Sequence, residues 1–159
     1  MKAFRTFYIE NGEQLFAYLL RKSGNAALAA DLVQETFTRY LSQYRNRELS
    51  VALLYTIARN SFYDHVRKER PQADPEELDT LASTIDQERL YMVREESRLV
   101  LDAMQQLDEE DRDILALVAT SGLSYREIAE IKGMSEAAVK VRVHRARQQL
   151  RTILATESA

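Results

Sequence analysis

A chain of 159 residues with 45 % apolar side chains can bury the core of one ordinary domain or two small ones, which excludes wholesale disorder. It has no cysteine, which excludes a disulfide scaffold and thiolate metal sites and fits a reducing compartment. Net charge is −3, no apolar run follows the basic start and no stretch approaches membrane-spanning length, so a soluble, cytoplasmic protein without membrane insertion is expected.

The periodicity predicts helices at about 12–23, 26–45, 50–69, 88–106, 109–120, 124–132 and 136–154. No segment alternates like a strand, so the fold class is all-α. Gly12 and Gly24 bracket the first helix, which carries Leu15, Tyr18, Leu19 and Lys22 at helical spacing. The second carries an apolar stripe of Leu32, Val33, Thr36, Phe37, Tyr40, Leu41 and Tyr44; the third carries Leu54, Ile57, Ala58 and Phe62.

The third helix and its end also mix rings, bases and an amide: Tyr55, Arg59, Asn60, Tyr63, His65, Arg67, Lys68 and Arg70. That mixture suits strand-separated DNA, where bases stack on rings and cations follow the backbone. Tyrosines at this spacing suit core packing equally, and the helix dipole by itself favours bases at a C-terminus.

From Pro71 to Glu88 the chain holds six acids and no base. This Pro-broken stretch is expected to be a linker over 71–87. Asp108 is placed to cap the fifth helix, with Glu109, Glu110 and Asp111 favourably set against its dipole.

Two helix starts then fall eleven residues apart. Ser124 and Glu127 have capping-box spacing, with Leu123 and Ile128 as the staple pair. Gly133 supplies a left-handed helix end, and Ser135 caps the following helix, with Met134 and Val139 as its staple. Two helices about a Gly turn make a helix-turn-helix, whose second helix enters the DNA major groove. On that helix Val139, Val143, Ala146 and Leu150 share one face, the core side. Ala137, Ala138, Val141, His144, Arg145 and Gln148 lie opposite. There small apolar groups can meet thymine methyls, and Arg145 or His144 can read acceptor edges. Lys140, Arg142, Arg147 and Arg151 flank the face, within reach of phosphates. Five bases against one acid from Ser135 to Arg151 complete a segregated charge pattern.

No Gly-rich phosphate loop, metalloprotease pair or Ser elbow is present, so no catalytic site or cofactor is expected. His65 and His144 each stand beside bases that repel a metal ion, and no metal site is expected.

Taken together, these segments resemble the extracytoplasmic-function family of bacterial RNA polymerase sigma factors, in order and over nearly the whole chain. Asp31-Leu32-Val33-Gln34-Glu35-Thr36-Phe37 resembles the family's helix that docks on the clamp helices of the largest polymerase subunit. This implies Asp31, Leu32, Gln34, Glu35 and Phe37 as core-polymerase contacts. Leu54 to Asn60, continuing through Asp64 to Lys68, resembles the segment engaging the −10 element, implying Tyr55, Arg59, Asn60, Tyr63, Arg67 and Lys68. The 122–129 and 139–147 segments resemble the −35-binding helix-turn-helix, implying Ala137, Ala138, Lys140, Val141, Arg142, His144, Arg145 and Arg147. The resemblance implies two small helical domains, sigma domain 2 over 1–70 and sigma domain 4 over 88–159, joined by the acidic linker 71–87. It implies promoter recognition and strand opening without catalysis, with core polymerase and promoter DNA as partners. An anti-sigma protein, often used by the family, is a further candidate partner.

The chain departs from the family at Leu53, where many members have Trp, and at Thr56, where Arg is common. The Tyr44–Val51 segment is short for the family. Ala138 and Val141 replace frequent hydroxyl residues. A stand-alone helix-turn-helix regulator is the alternative that residues 124–151 fit by themselves. Asp31–Phe37 and Leu54–Lys68 favour the sigma reading.

Overall fold

The computed structural model describes residues 2–45, 47–68 and 96–158. The expected linker at 71–87 and the expected helical residues 88–95 lie outside the described residues. Among those described, every element is a helix: α1 Lys2–Ser23, α2 Ala26–Tyr44, α3 Val51–Lys68, α4 Glu96–Met104, α5 Glu109–Thr120, α6 Tyr125–Lys132 and α7 Glu136–Ser158.

Helix α1 begins ten residues before the start expected at Gly12, and Gly12 lies inside it. A glycine in a helix interior costs about 0.5–1 kcal/mol relative to alanine. Aromatic packing outweighs this. Phe7 lies 5.5 Å from Tyr40, Tyr8 lies 4.6 Å from Phe37, and Phe4 meets Phe37 edge-on at 6.1 Å. Burying one such ring contributes roughly 1.5–3 kcal/mol.

At the α1–α2 turn Gly24 adopts φ +67°, the left-handed conformation that glycine takes without strain. Asn25 then caps α2, its side chain accepting from the Leu28 N–H at 3.1 Å. This turn is also a seat for the C-terminal helices. Gln105, just past α4, donates to the Arg21 carbonyl at 2.9 Å, and a Cβ on Gly24 would come within 2.9 Å of the Gln105 side chain. Arg112 of α5 donates to the Lys22 carbonyl at 3.1 Å and ties it to the Met104 and Leu107 carbonyls.

Helices α1–α3 enclose Leu15, Tyr18, Leu19, Leu32, Leu54 and Ala58; α5–α7 enclose Ile114, Leu117, Ile128, Val139, Val143 and Ala146. The two groups bury one continuous core, because α1 packs against both α2 and α5.

Candidate nucleic-acid interface

The helix-turn-helix has its full set of end signals. Ser124 Oγ accepts from the Glu127 N–H at 3.1 Å, and the Glu127 carboxylate accepts from the Ser124 N–H at 3.0 Å, closing the capping box. Gly133 ends α6 at φ +67°, and Ser135 Oγ accepts from the Ala138 N–H at 3.0 Å to start α7. An eight-residue helix is too short to persist by propensity alone. Its caps and buried Ile128 and Ala129 hold it, and they fix the angle at which α7 is presented.

Val139, Val143 and Ala146 of α7 are buried against this unit, and Leu150 is half-buried. The opposite face is open. Ala137, Lys140, Val141, His144, Arg145 and Arg147 are exposed; Ala138 and Arg142 are half-buried. Val141 is 57 % exposed, a large apolar group left in solvent on a basic face. Arg142 leans toward Asp111 at 3.7 Å, and Lys140 pairs loosely with Glu136 at 3.9 Å. The remaining cations have room to meet an anionic backbone.

Helix α3 is divided. Asn60, Arg67 and Lys68 are exposed, with Arg67 hydrogen-bonded to Asp64. An open cleft of about 690 Å³ lies here, lined by Arg39, Asn60, Tyr63, Asp64, Val66 and Arg67. Arg39 and Arg67 both bond Asp64 and hold its carboxyl below the usual carboxylate range. Tyr55, by contrast, is fully buried. Its hydroxyl approaches Thr120 of α5 without the geometry of a hydrogen bond, and burial pushes it well above the ordinary tyrosine range.

Arg59 and Tyr63 are tied to α5 around Asp113, which is 0 % exposed. Asp113 accepts from Tyr18 Oη at 2.6 Å, Lys22 Nζ at 2.8 Å, Arg59 Nε at 2.9 Å and Lys132 Nζ at 2.6 Å. Lys22, also 0 % exposed, donates to Glu109 at 2.9 Å and to Tyr63 Oη at 3.2 Å, and lies over the Tyr63 and Phe62 rings. Tyr63 Oη in turn donates to Glu109 at 2.9 Å. Lys132 reaches Glu110 at 3.1 Å.

The charges keep one another ionised. Burial alone would raise the Asp113 carboxyl, but Lys22, Lys132 and Arg59 outweigh it and hold it well below the usual carboxylate range. Burial would lower the Arg59 guanidinium, yet Asp113 beside it holds it above its ordinary value. Burial, reinforced by Asp113 and Glu109, raises Tyr63 and keeps its hydroxyl protonated as a donor.

Sequence reasoning missed this cluster, whose bonded pairs lie up to 95 positions apart. A signal was present: Lys22 sits three residues after Leu19 on the buried face of α1, and Asp113 immediately precedes buried Ile114. A charge on an apolar face requires a partner from another element.

On α2, Asp31 and Gln34 are exposed, with Gln34 donating to Tyr8 Oη at 2.9 Å. Glu35 is half-buried and pairs with Arg39 at 2.6 Å. Leu32 and Phe37 belong to the core. The outer edge of this segment is therefore polar, continued on α1 by exposed Tyr8 and Ile9. Among the described residues no group of side chains could hold a metal ion, and no helix is long and apolar enough to cross a membrane.

Residues 7–72 match the family model of sigma-70 region 2, and residues 97–150 match that of sigma-70 region 4. The chain is 38 % identical over 151 residues to the ECF RNA polymerase sigma factor EcfG of Rhodopseudomonas palustris, covering 91 % of this chain and 81 % of that one. It is 35 % identical to SigE of Mycolicibacterium smegmatis over 94 % of this chain, spanning 61 % of that longer protein. Against CarQ of Myxococcus xanthus it is 32 % identical, with 96 % and 89 % of the two chains covered. The sigma factor RpoE of Bartonella quintana, solved with the anti-sigma factor NepR, superposes with a TM-score of 0.74 at 26 % identity over 98 % of both chains. CnrH, solved with the cytosolic domain of CnrY, gives 0.68 at 25 % identity over 98 % of this chain and 89 % of that one. The fold is thus a sigma-70-type pair of helical regions, region 2 followed by a region 4 that carries the helix-turn-helix. The chain belongs to the ECF family of RNA polymerase sigma factors.

Proposed function

We infer that this chain is an alternative sigma factor that binds core RNA polymerase and directs promoter recognition, DNA opening and transcription initiation. It acts in the cytoplasm, where transcription takes place, and has no catalytic reaction of its own. The observation that carries the reading is the open face of α7, where cations flank exposed Ala137 and Val141 above a fully capped helix-turn-helix. A groove reader uses such an aliphatic group among its bases, because thymine methyls are apolar.

Residues 1–70 then form sigma domain 2, 71–87 the linker and 88–159 sigma domain 4. Lys140 and Arg147 hold phosphates, while Val141 and Arg145 meet base edges at the −35 element. Arg59, Asn60, Tyr63, Arg67 and Lys68 engage the strand opened at −10. The outer edge of α2 at exposed Asp31 and Gln34 and half-buried Glu35 docks on polymerase clamp helices. An anti-sigma protein is a fitting further partner, since the superposed sigma factor RpoE was solved with one.

Run-off transcription with core polymerase, followed by mapping of start sites, tests this function. Discrete starts that depend on the chain support it. A chain that binds its promoter equally well without polymerase and yields no new starts is a stand-alone regulator instead.

A further inference from the structure

We propose that Arg39 of α2 is a positioning residue for strand capture: it balances the Asp64 carboxylate and so leaves the Arg67 guanidinium free to take a phosphate of the opened strand. The inference rests on the reading of Arg67 as a −10 contact. It adds a residue and an electrostatic role that this reading does not contain.

Four charges of alternating sign run from α2 to α3. Arg39 Nη2 lies 2.6 Å from Glu35 Oε1, and Arg39 Nη1 donates to Asp64 Oδ2 at 3.1 Å. Arg67 Nη2 donates to the other oxygen, Asp64 Oδ1. Arg39, Asp64 and Arg67 all line the open cleft, beside Asn60 and Tyr63. Among the described residues, Asp64 thus has one cation on each oxygen, one from either helix. Arg39 is the larger influence holding its carboxyl below the usual range, and Arg67 is the second.

Exposure separates the two arginines. The side chains of Arg39 and Asp64 are 31 % and 29 % exposed, whereas that of Arg67 is 74 % exposed. Arg39 is tethered by both arms of its fork, a geometry that a planar guanidinium provides and an ammonium does not. Arg67 reaches Asp64 through one nitrogen and has solvent around it, so it can swing outward.

Exposed pairs of this kind add little stability, so fastening α3 to α2 is a weak account of them. Their effect falls on the charge that the cleft offers to a strand. A carboxylate beside a phosphate site repels the phosphate and competes for the cation that should bind it. With Arg39 in place, Asp64 stays paired when Arg67 leaves it. Without Arg39, moving Arg67 to a phosphate uncovers a bare carboxylate beside the strand. Arg67 and Asp64 then cancel, and the cleft loses one effective positive charge although Arg67 itself is intact.

The test uses holoenzyme formed at saturating core polymerase, because Arg39 adjoins the docking edge of α2. The probe is a fork-junction DNA whose −10 element, taken from a start site mapped by run-off transcription, is unpaired on the non-template strand. Binding is measured at several salt concentrations for Arg67→Ala, for Arg39→Gln, and for Arg39→Gln combined with Asp64→Asn. Glutamine keeps the stem of Arg39 and removes its charge.

One phosphate neutralised on a single strand contributes about −0.7 to the slope of log affinity against log salt. Arg67→Ala should flatten the slope by about that amount and weaken binding about fourfold at physiological salt. Arg39→Gln should reproduce most of this loss with Arg67 untouched. Adding Asp64→Asn should restore wild-type slope and affinity. Glu35 loses its Arg39 partner in both variants, so restoration traces the effect to Asp64.

A wild-type slope in Arg39→Gln, with binding weakened in Arg67→Ala, overturns the proposal and leaves the −10 reading standing. A double variant as weak as Arg39→Gln overturns it as well, since Arg39 would then touch the strand itself. Lost helicity in Arg39→Gln makes the residue structural and has the same consequence. Wild-type binding by Arg67→Ala removes both the proposal and the −10 role of Arg67.

Discussion

The recognition helix can be dissected with three substitutions whose effects differ in kind. Lys140 lies on the flank of the open face with a side chain 61 % exposed and a loose ion pair to Glu136. It is free to neutralise one phosphate. Each phosphate neutralised on duplex DNA contributes about −0.9 to the slope of log affinity against log salt. Lys140→Ala should therefore weaken −35 binding on every sequence alike and flatten the slope by about one. Over a fourfold rise in salt, wild-type affinity should fall about 3.5-fold more than that of the variant. Arg145 points outward from the centre of the face, and Arg145→Ala should cost roughly 1–3 kcal/mol at one base pair, a preference of about 5- to 160-fold lost at that position alone. Val139 is the control. Its side chain is fully buried, so Val139→Ala removes two methyl equivalents from the core, about 1.5–3 kcal/mol, and lowers Tm by roughly 3–12 °C without altering sequence preference. Holoenzyme binding to a panel of single-base promoter variants at several salt concentrations reads all three. If Arg145→Ala shifted every promoter equally while Lys140→Ala changed the preferred sequence, α7 would be rotated in the groove and the assignment would be wrong.

Three further outcomes are expected. Asp113→Ala leaves Lys22, Arg59 and Lys132 in the interior without their shared carboxylate and should destabilise the chain by about 3–5 kcal/mol, whereas Lys22→Met fills the same space and leaves Asp113 two cations, so its loss should be smaller. Urea unfolding ranks the two, and the reverse order would show that Asp113 is not the centre. Because the Asp113 carboxyl is held below its unfolded value, its contribution is full above that value and declines as pH falls below about 4; the stability gap between wild type and Asp113→Asn should be constant above about pH 5 and narrow in acid. A gap that persists unchanged in acid would remove ionised Asp113 as its source. On α2, the double change Gln34→Ala and Glu35→Ala should weaken pull-down of core polymerase about fivefold or more with unchanged helicity, and full retention would exclude this edge as the docking site.

The parts of the fold that local chemistry determines were readable in the chain. The α6 box, the Gly133 end, the Ser135 and Asp108 caps and the Val139, Val143, Ala146 face of α7 all follow from residues within one or two turns of each other. What escaped reading depends on distant partners. Gly12 looks like a boundary until Phe4, Phe7 and Tyr8 are seen to need α2, and their packing carries α1 through it. Tyr55 and Asn60 are five positions apart on one helix, both plausible DNA contacts by type. Asn60 faces solvent, while Tyr55 points inward, where its ring meets Tyr18 of α1 edge-on at 5.2 Å and its hydroxyl nears Thr120 of α5. The candidate site was legible where it is an open face and illegible where another helix covers it. Composition records which side chains exist, and not which neighbour has already taken their hydrogen bonds.

Synthesis builds the two sides of the Asp113 cluster at different moments. Helices α1 to α3 end at Lys68, and Asp113 follows 45 residues later. At a ribosomal rate of about 5–20 residues per second, that interval lasts roughly 2–9 seconds. During it the N-terminal helices have Lys22, Arg59 and Tyr63 but not the acids that will occupy them. The ammonium of Lys22 stays hydrated, and the faces of α1 and α3 that α5 will cover remain wet. A newborn chain thus carries these cations before the carboxylates that will bind them have been made.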